Sequence, residues 1–357
     1  MNYKGGYTVT SPVRGLAPKN SDFRLRLAEA GVTPLWDVMA TLVTERPQPQ
    51  ERAVHWSYDG LRPLLLEAGQ AVSAEQAERR VLILENPGLP EGRRATNSLY
   101  AGLQLVLPGE IAPVHRHSQS ALRFILESSG AYTAVDGEKV VMSPFDLVLT
   151  PSMRWHEHGN ETDAPAVWLD GLDIPTVLHF NSGFAERDPH EGAPAFIPVG
   201  DSSRRYGRNL RPVRGTTADR NVRNHPLFHY PYAEWREALE DTALNSAPDP
   251  HVGCRMEFIN PFTAGPVLPT ISAFVQRVPA GMSTRRLRST DGTVWVVVEG
   301  QGKMSVGDSV YDLAIRDLIV APSWQPVHFE ATTDLILFAY SDRGAQEKLD
   351  LWQERKE

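Results

Sequence analysis

The chain has 357 residues, 41% of them hydrophobic, a single cysteine and a formal net charge of -8, with a pI near 5.8. That length can bury two cores of about 100–200 residues each, and an acidic balance with no lysine-rich block excludes a broad basic footprint for nucleic acid. No run of about 20 apolar residues offers a membrane span, and MNYKGGYTVTSPVRG lacks the apolar stretch of a secretory leader, so a cytoplasmic protein is expected, with Cys254 a small buried hydrophobe.

In chain order, residues 21–45 carry the only sustained helical pattern near the start, opened by Ser21-Asp22 and interrupted by Pro34. From Ser98 the pattern becomes short β-type runs such as Leu103–Leu107, Arg123–Leu126 and Leu147–Thr150, separated by Pro-Gly, Ser-Gly and Asp-Gly turns. That pattern predicts a barrel or sandwich. Residues from about 180 to 250 read as a linker with a helix around 232–239, and the β pattern returns after Gly265. The return is a second copy: Gly109 and Gly281 differ by 172 (281 − 109), as do Glu127 and Glu299, and 146–152 aligns with 317–323 at 171. Two such blocks indicate a duplicated domain rather than a solenoid.

Chemistry concentrates in the first copy. His115-Arg-His117 and His156-Glu-His158 are two His-x-His pairs, and in a strand the members of each pair point to one side. Three or four converging imidazoles point to a metal. Gly109, His115, His117 and Gly130 resemble the first cupin signature, and Pro144-Phe-Asp146, Pro151, His156 and Asn160 the second. Phe145 and Met153 stand where that signature has glycine, and Arg123 where it has a glutamate ligand. The second copy carries Leu287, Ser289 and Val327 at the positions of His115, His117 and His156, with His328 one residue off, so its metal site is lost. The resemblance therefore implies a mainly β bicupin, two double-stranded β-helix (jelly-roll) barrels. Its segments are expected at 1–95 (helical arm and lead-in strands), 96–180 (metal-binding cupin), 181–264 (connection) and 265–357 (degenerate second cupin).

The runs at 115–124, 131–137, 155–160 and 168–175 closely resemble gentisate 1,2-dioxygenases, with salicylate and 1-hydroxy-2-naphthoate dioxygenases as near relatives. Weaker echoes at 34–36, 79–80, 86–89, 100–104 and 322–324 extend the resemblance along most of the chain. It implies one Fe(II) per chain held by His115, His117 and His156, and O2 plus a small aromatic ortho-hydroxy carboxylate as substrates. The three histidines alone would also suit zinc. By the same resemblance Arg123 and Arg79 hold the substrate carboxylate, Gln104 and His158 hydrogen-bond substrate or oxygen, and Asp170 positions ring hydroxyls or orders the arginines. Tyr100 shares strand parity with Gln104 and would face the cavity. Tyrosine there favours gentisate over salicylate, and a homo-oligomer, a tetramer by resemblance, is expected. A zinc cupin isomerase and a metal-free storage bicupin are the readings from other classes. The remaining histidines, His55, His179, His190, His225, His229 and His251, are expected to have ordinary core or surface roles.

Overall fold

The computed structural model describes residues 21–90, 92–187, 197–208 and 226–357; His190 and His225 lie outside them. Residues 1–47 and 48–357 form separate compact units. Within the described part of the first, helices span Ser21–Glu29 and Leu35–Leu42. Pro34, with its φ fixed at -65, is the N-cap that separates them, and Arg24 pairs with Asp37 across the break at 2.7 Å.

The larger unit contains two copies of one β framework. Its strands are β1 (Val54–Trp56), β2 (Val81–Ile83), β3 (Tyr100–Val106), β4 (Ile111–His117), β5 (Ala121–Glu127), β6 (Tyr132–Val135), β7 (Glu138–Val141), β8 (Leu147–Thr150), β9 (His156–Gly159) and β10 (Ala166–Leu172). After β11 (Ala185–Glu186) and β12 (His229–Tyr230) follow β13 (Cys254–Phe258), β14 (Ser272–Val278), β15 (Leu287–Ser289), β16 (Thr293–Glu299), β17 (Gly302–Val306), β18 (Ser309–Leu313), β19 (Leu318–Ala321), β20 (Val327–Ala331), β21 (Leu335–Ser341) and β22 (Glu354–Lys356). The first jelly roll pairs the sheet β12-β8-β5-β10-β3-β2 with β11-β4-β9-β6-β7. The second pairs β1-β19-β16-β21-β14-β13 with β18-β17-β20-β15-β22.

The two-residue period of a strand sorts side chains into three apolar bodies. Leu122, Phe124 and Leu126 of β5 meet Val294, Val296, Ile336 and Phe338 in a core between the two six-stranded sheets, where Phe124 and Phe338 stack at 3.9 Å. The alternate residues, Ile125, Trp168 and Val148, fill the first barrel, and Trp295, Val297 and Phe329 fill the second. Gln104, Arg123 and Asp170 therefore lie on the interior faces of β3, β5 and β10.

A short segment before each barrel locks the pair together. His55 Nε2 lies 2.8 Å from Asp317 Oδ2 and Tyr58 N donates to Asp317 Oδ1 at 3.0 Å, while the Tyr58 hydroxyl donates to Glu127 of the other barrel at 2.8 Å. The same arrangement recurs with His229 and Tyr232 on Asp146, and the Tyr232 hydroxyl on Glu299. His55 and His229 thus have structural roles. Residues 48–95 fall in the larger unit, and their strand β1 pairs with β19 of the second barrel.

The sequence pattern missed the helix Tyr58–Ala71, which contains Gly60, Pro63 and Gly69; a helix with three breakers is held by burial of Tyr58 and Leu65 rather than by propensity. The supposed linker also carries β11, paired with β4 at Ala185↔His117, and β12, paired with β8. Its helix runs Tyr232–Leu244. Cys254 is half-buried rather than buried and packs against the inter-barrel core. Phe145 and Met153, at the glycine positions of the signature, have φ of 68 and 59, and their second-barrel counterparts Arg316 and Trp324 have 70 and 62. The turn demands the left-handed conformation whichever residue occupies it.

Candidate active site

The register of β4 against β9 places His115 opposite His156, after an irregularity between Ala112 and His115 where Pro113 can donate no ladder hydrogen bond. His117 follows on the same face of β4. The ligating atoms of the three imidazoles lie within 4.8 Å of one another, with ring centroids 4.0 Å apart for His115 and His156 and 4.9 Å for His117 and His156.

Each ring is oriented by a backbone carbonyl. Nδ1 of His117 lies 2.8 Å from Gln119 O, that of His156 2.9 Å from Arg154 O, and that of His115 3.2 Å from Pro113 O. A carbonyl only accepts, so Nδ1 of His117 and of His156 carries the proton and Nε2 keeps a lone pair for a metal, whereas on His115 Nδ1 the Pro113 carbonyl and the Arg79 guanidinium make opposite demands. His156 Nε2 is buried with no partner. Burial, with Arg79 and His117 adding to it, pushes His115 down to about 3; burial lowers His117 to about 4 and His156 well below the usual imidazole range. These are neutral ligands, and the donor set fits a divalent transition metal.

Of the adjacent arginines, Arg79 is the one aimed at the cluster. Arg80 is buried in a two-point pairing with Glu110, at 2.8 and 2.9 Å, and donates to Val72 O. Arg79 Nη2 lies against both ring nitrogens of His115, 3.0 Å from Nε2, and also donates to Pro113 O at 3.0 Å. A cation on that lone pair and the guanidinium in this position exclude each other by charge and by space. Arg79 and His115 line a cavity of about 330 Å³ with Pro113, Val114 and Glu186.

Deeper in the barrel, Arg123 is opposite Asp170 in the β5–β10 register. Its Nε lies 3.4 Å from Asp170 Oδ1, close enough for ion pairing although the angle makes no hydrogen bond, and Nη1 donates to Thr150 Oγ1 at 2.5 Å. Asp170 Oδ1 accepts from Trp168 Nε1 at 3.1 Å. Burial raises the Asp170 carboxyl to about 6 against the opposing pull of Arg123. His158 is fully buried, its Nδ1 2.9 Å from Thr133 Oγ1 and its Nε2 without a partner. Burial and the Arg123 charge lower its pKa well below the usual range. Gln104 faces Trp168 across β3 and β10, and Tyr100, whose phenol is raised by burial and by Asp170, folds its hydroxyl across Gly102, where a Cβ would come within 2.7 Å of it. Strand parity puts Tyr100 and Gln104 at like positions of β3. It did not single out Thr133, Thr150 or Trp168 as supports, because a threonine or tryptophan inside a strand ordinarily signals only β propensity.

In the second barrel Leu287 stands opposite Val327 where His115 faces His156, and His328 sits 3.4 Å from Glu330. Among the described residues, His115, His117 and His156 are the one group suited to hold a metal.

A model described as a cupin domain matches residues 102–172. Gentisate 1,2 dioxygenase 1 of Aquipseudomonas alcaligenes is 46% identical over 342 residues, 95% of this chain and 96% of that protein. A 1-hydroxy-2-naphthoate 1,2-dioxygenase of Nocardioides sp. (strain KP7) is 33% identical, over 87% of this chain and 80% of its own. Salicylate 1,2-dioxygenase from Pseudoaminobacter salicylatoxidans, solved as an adduct with gentisate, superposes with a TM-score of 0.87 at 30% identity, covering 98% of this chain and 97% of that one. With the duplicated jelly roll, the single three-histidine cluster and coverage near the full length of each, the chain belongs to the gentisate 1,2-dioxygenase family of bicupin ring-cleaving enzymes.

Proposed function

We propose that this enzyme cleaves gentisate between the carboxyl-bearing carbon and the adjacent hydroxyl-bearing carbon, adding both atoms of O2 to give maleylpyruvate, with one Fe(II) per chain as cofactor. The observation that carries the reading is the neutral three-imidazole cluster beside two guanidiniums, Arg79 and Arg123, in one barrel. Fe(II) held by His115, His117 and His156 would supply a path for electron density from the aromatic ring to dioxygen.

The chain's own side chains account for the choice of substrate. Arg79 leaves His115 when a cation enters and turns its fork to the substrate carboxylate, together with Arg123. Asp170 and Thr150 fix the Arg123 plane, so its remaining donors are aimed before substrate arrives. The Nε2 of His158 and the amide of Gln104 hydrogen-bond the ring hydroxyl or oxygen, while Trp168 packs against the His158 ring at 5.5 Å and keeps it in place. The Tyr100 hydroxyl lines the side where the second ring hydroxyl of gentisate would lie. Salicylate lacks that hydroxyl, is the harder ring to oxidise, and would leave polar groups unpaired at about 1–3 kcal/mol each.

A second reading, cleavage of salicylate or 1-hydroxy-2-naphthoate, is favoured by relatives that carry those names. Side-by-side oxygen uptake on the three acids decides between them: gentisate should give the highest kcat/KM, and comparable values on salicylate would overturn the substrate while leaving the chemistry. A cytoplasmic homotetramer completes the proposal, checked by light scattering of the purified enzyme and by fractionation.

A further inference from the structure

Tyr340 belongs to the barrel without a metal site, yet its hydroxyl ends in the other barrel. On β21 it follows Ile336 and Phe338 at the two-residue period, so its side chain enters the core between the two sheets, where it is fully buried. Across that core it donates to Tyr100 O at 2.8 Å. Its ring lies over Gly171, the residue after Asp170 on β10, where a Cβ would come 2.8 Å from it. Burial, with Tyr100 and Asp170 adding to it, raises the Tyr340 phenol well above its usual range, so the hydroxyl keeps its proton and donates.

The internal repeat shows that this contact has no reciprocal. β21 aligns with β10 at an offset of 169 (335 − 166 and 341 − 172), and β14 aligns with β3 at 172 (272 − 100). By these offsets Asp342 matches Asp173 (342 − 169) and Thr270 matches Ser98 (270 − 172). Those two pairs cross between the barrels in both directions: Ser98 Oγ donates to Asp342 Oδ2, and Thr270 Oγ1 donates to Asp173 Oδ2. Tyr340, in contrast, matches Gly171 (340 − 169), and Tyr100 matches Ser272 (272 − 172). A glycine has no side chain with which to reach Ser272. The tyrosine therefore acts in one direction, from the metal-free barrel to the barrel with the histidine cluster, and the glycine opposite makes room for its ring.

The end of β3 gives this contact its leverage. Tyr100 and Leu172 form the last pair of the β3–β10 ladder, and neither strand continues past it. The Tyr100 side chain runs back along β3 and sets its hydroxyl beside Gly102, so a shift of the Tyr100 backbone moves that hydroxyl. We propose that Tyr340 is a positioning residue for the substrate pocket: by holding Tyr100 O it fixes where the Tyr100 hydroxyl meets the second ring hydroxyl of gentisate, and the metal-free barrel thereby takes part in ring choice. This rests on the reading that Tyr100 faces that hydroxyl.

The test uses the iron-loaded full chain without oxygen, with gentisate and salicylate as ligands. Tyr340→Phe keeps the ring over Gly171 and removes only the donor. Its gentisate Kd should rise about three- to tenfold, the worth of one hydrogen bond, while its salicylate Kd and iron content stay at the parent values. Tyr100→Phe should also weaken gentisate, and adding Tyr340→Phe to it should change nothing further. Ser98→Ala, which breaks one of the reciprocal contacts, should lower Tm and leave the ratio of the two Kd values unaltered. An unchanged gentisate Kd in Tyr340→Phe, an equal rise for both acids, or full additivity in the double variant would each overturn the proposal, and failure of Tyr340→Phe to fold would make the residue structural and overturn it too. If Tyr100→Phe binds gentisate as the parent does, the role given to Tyr100 fails and takes the proposal with it, an outcome separate from a failure at Tyr340 alone.

Discussion

Arg123 takes the position that cupins usually give to a glutamate ligand, and its surroundings explain what the exchange does. A carboxylate there would add a charged ligand, whereas a guanidinium braced by Asp170 and Thr150 offers fixed donors to an anion and cannot bind metal. Arg123→Ala should therefore keep its iron and lose about 1.5–3 kcal/mol in kcat/KM for gentisate, about ten- to a hundredfold. Unchanged kcat/KM, or loss of iron, would each remove the clamp role. His117→Ala and His156→Ala should lose iron and turnover together, and His328→Ala neither; metal analysis of anaerobically purified protein separates these cases. The imidazoles also set a pH dependence in the metal-free protein. Their folded pKa values lie below the unfolded 6.5, so their stabilising contribution is full above pH 6.5 and is lost as pH falls toward the folded value, about 4 for His117. The fall in apo Tm between about pH 7 and pH 5 should be smaller in His117→Gln than in the parent. An equal fall would show that His117 is not held neutral by the fold.

At the scale of elements, the turn after β8 shows a constraint that the backbone imposes and the side chain tolerates. Met153 N donates to His117 O at 2.7 Å, so this left-handed turn fastens the strand end that carries a metal ligand. A non-glycine residue there costs about 1–2 kcal/mol, and glycine would return most of it after its own chain-entropy cost of about 0.5–1 kcal/mol. Met153→Gly should be neutral to about 1 kcal/mol stabilising in urea unfolding of the apo protein, while β-branched Met153→Val should destabilise. If both destabilise equally, Met153 matters for packing and not for its φ. The helix Tyr58–Ala71 teaches the opposite lesson: its pattern is hidden by Gly60, Pro63 and Gly69, and burial of Tyr58 and Leu65, with Tyr58 and Arg62 bonded to Glu127, holds it.

For the larger unit, the paired locks couple the two barrels. Each of Asp146 and Asp317 is buried and accepts from a histidine and a tyrosine backbone N–H, and the tyrosine hydroxyl crosses to the other barrel. Asp317→Ala would strand those donors and should cost about 2–4 kcal/mol. Because the strain is shared through Tyr58 and Glu127, calorimetry should still show one transition for residues 48–357, at lower temperature. A second peak would mean that the degenerate barrel unfolds by itself and that the inter-barrel core around Phe124 and Phe338 is not the unit of cooperativity.

The sequence by itself determined the duplication, the two-barrel class, the histidine triad and the loss of that triad in the second copy. The duplication follows from the constant repeat offset and the two His-x-His pairs from strand parity, while the two-barrel class and the choice of His115, His117 and His156 as the triad follow from the resemblance. It also placed Gln104, Arg123 and Asp170 by alternation and resemblance, and resemblance alone chose Arg79 over its neighbour Arg80. Neighbouring positions in a short irregular segment carry no period, and only the pairing of Arg80 with Glu110 settles which guanidinium reaches His115. The supports Thr133, Thr150 and Trp168, the lock residues His55 and His229, and the reach of Tyr340 to Tyr100 were likewise decided by tertiary structure. Each depends on a partner far away in the chain, and a contact between distant residues leaves no mark on the local pattern of either one.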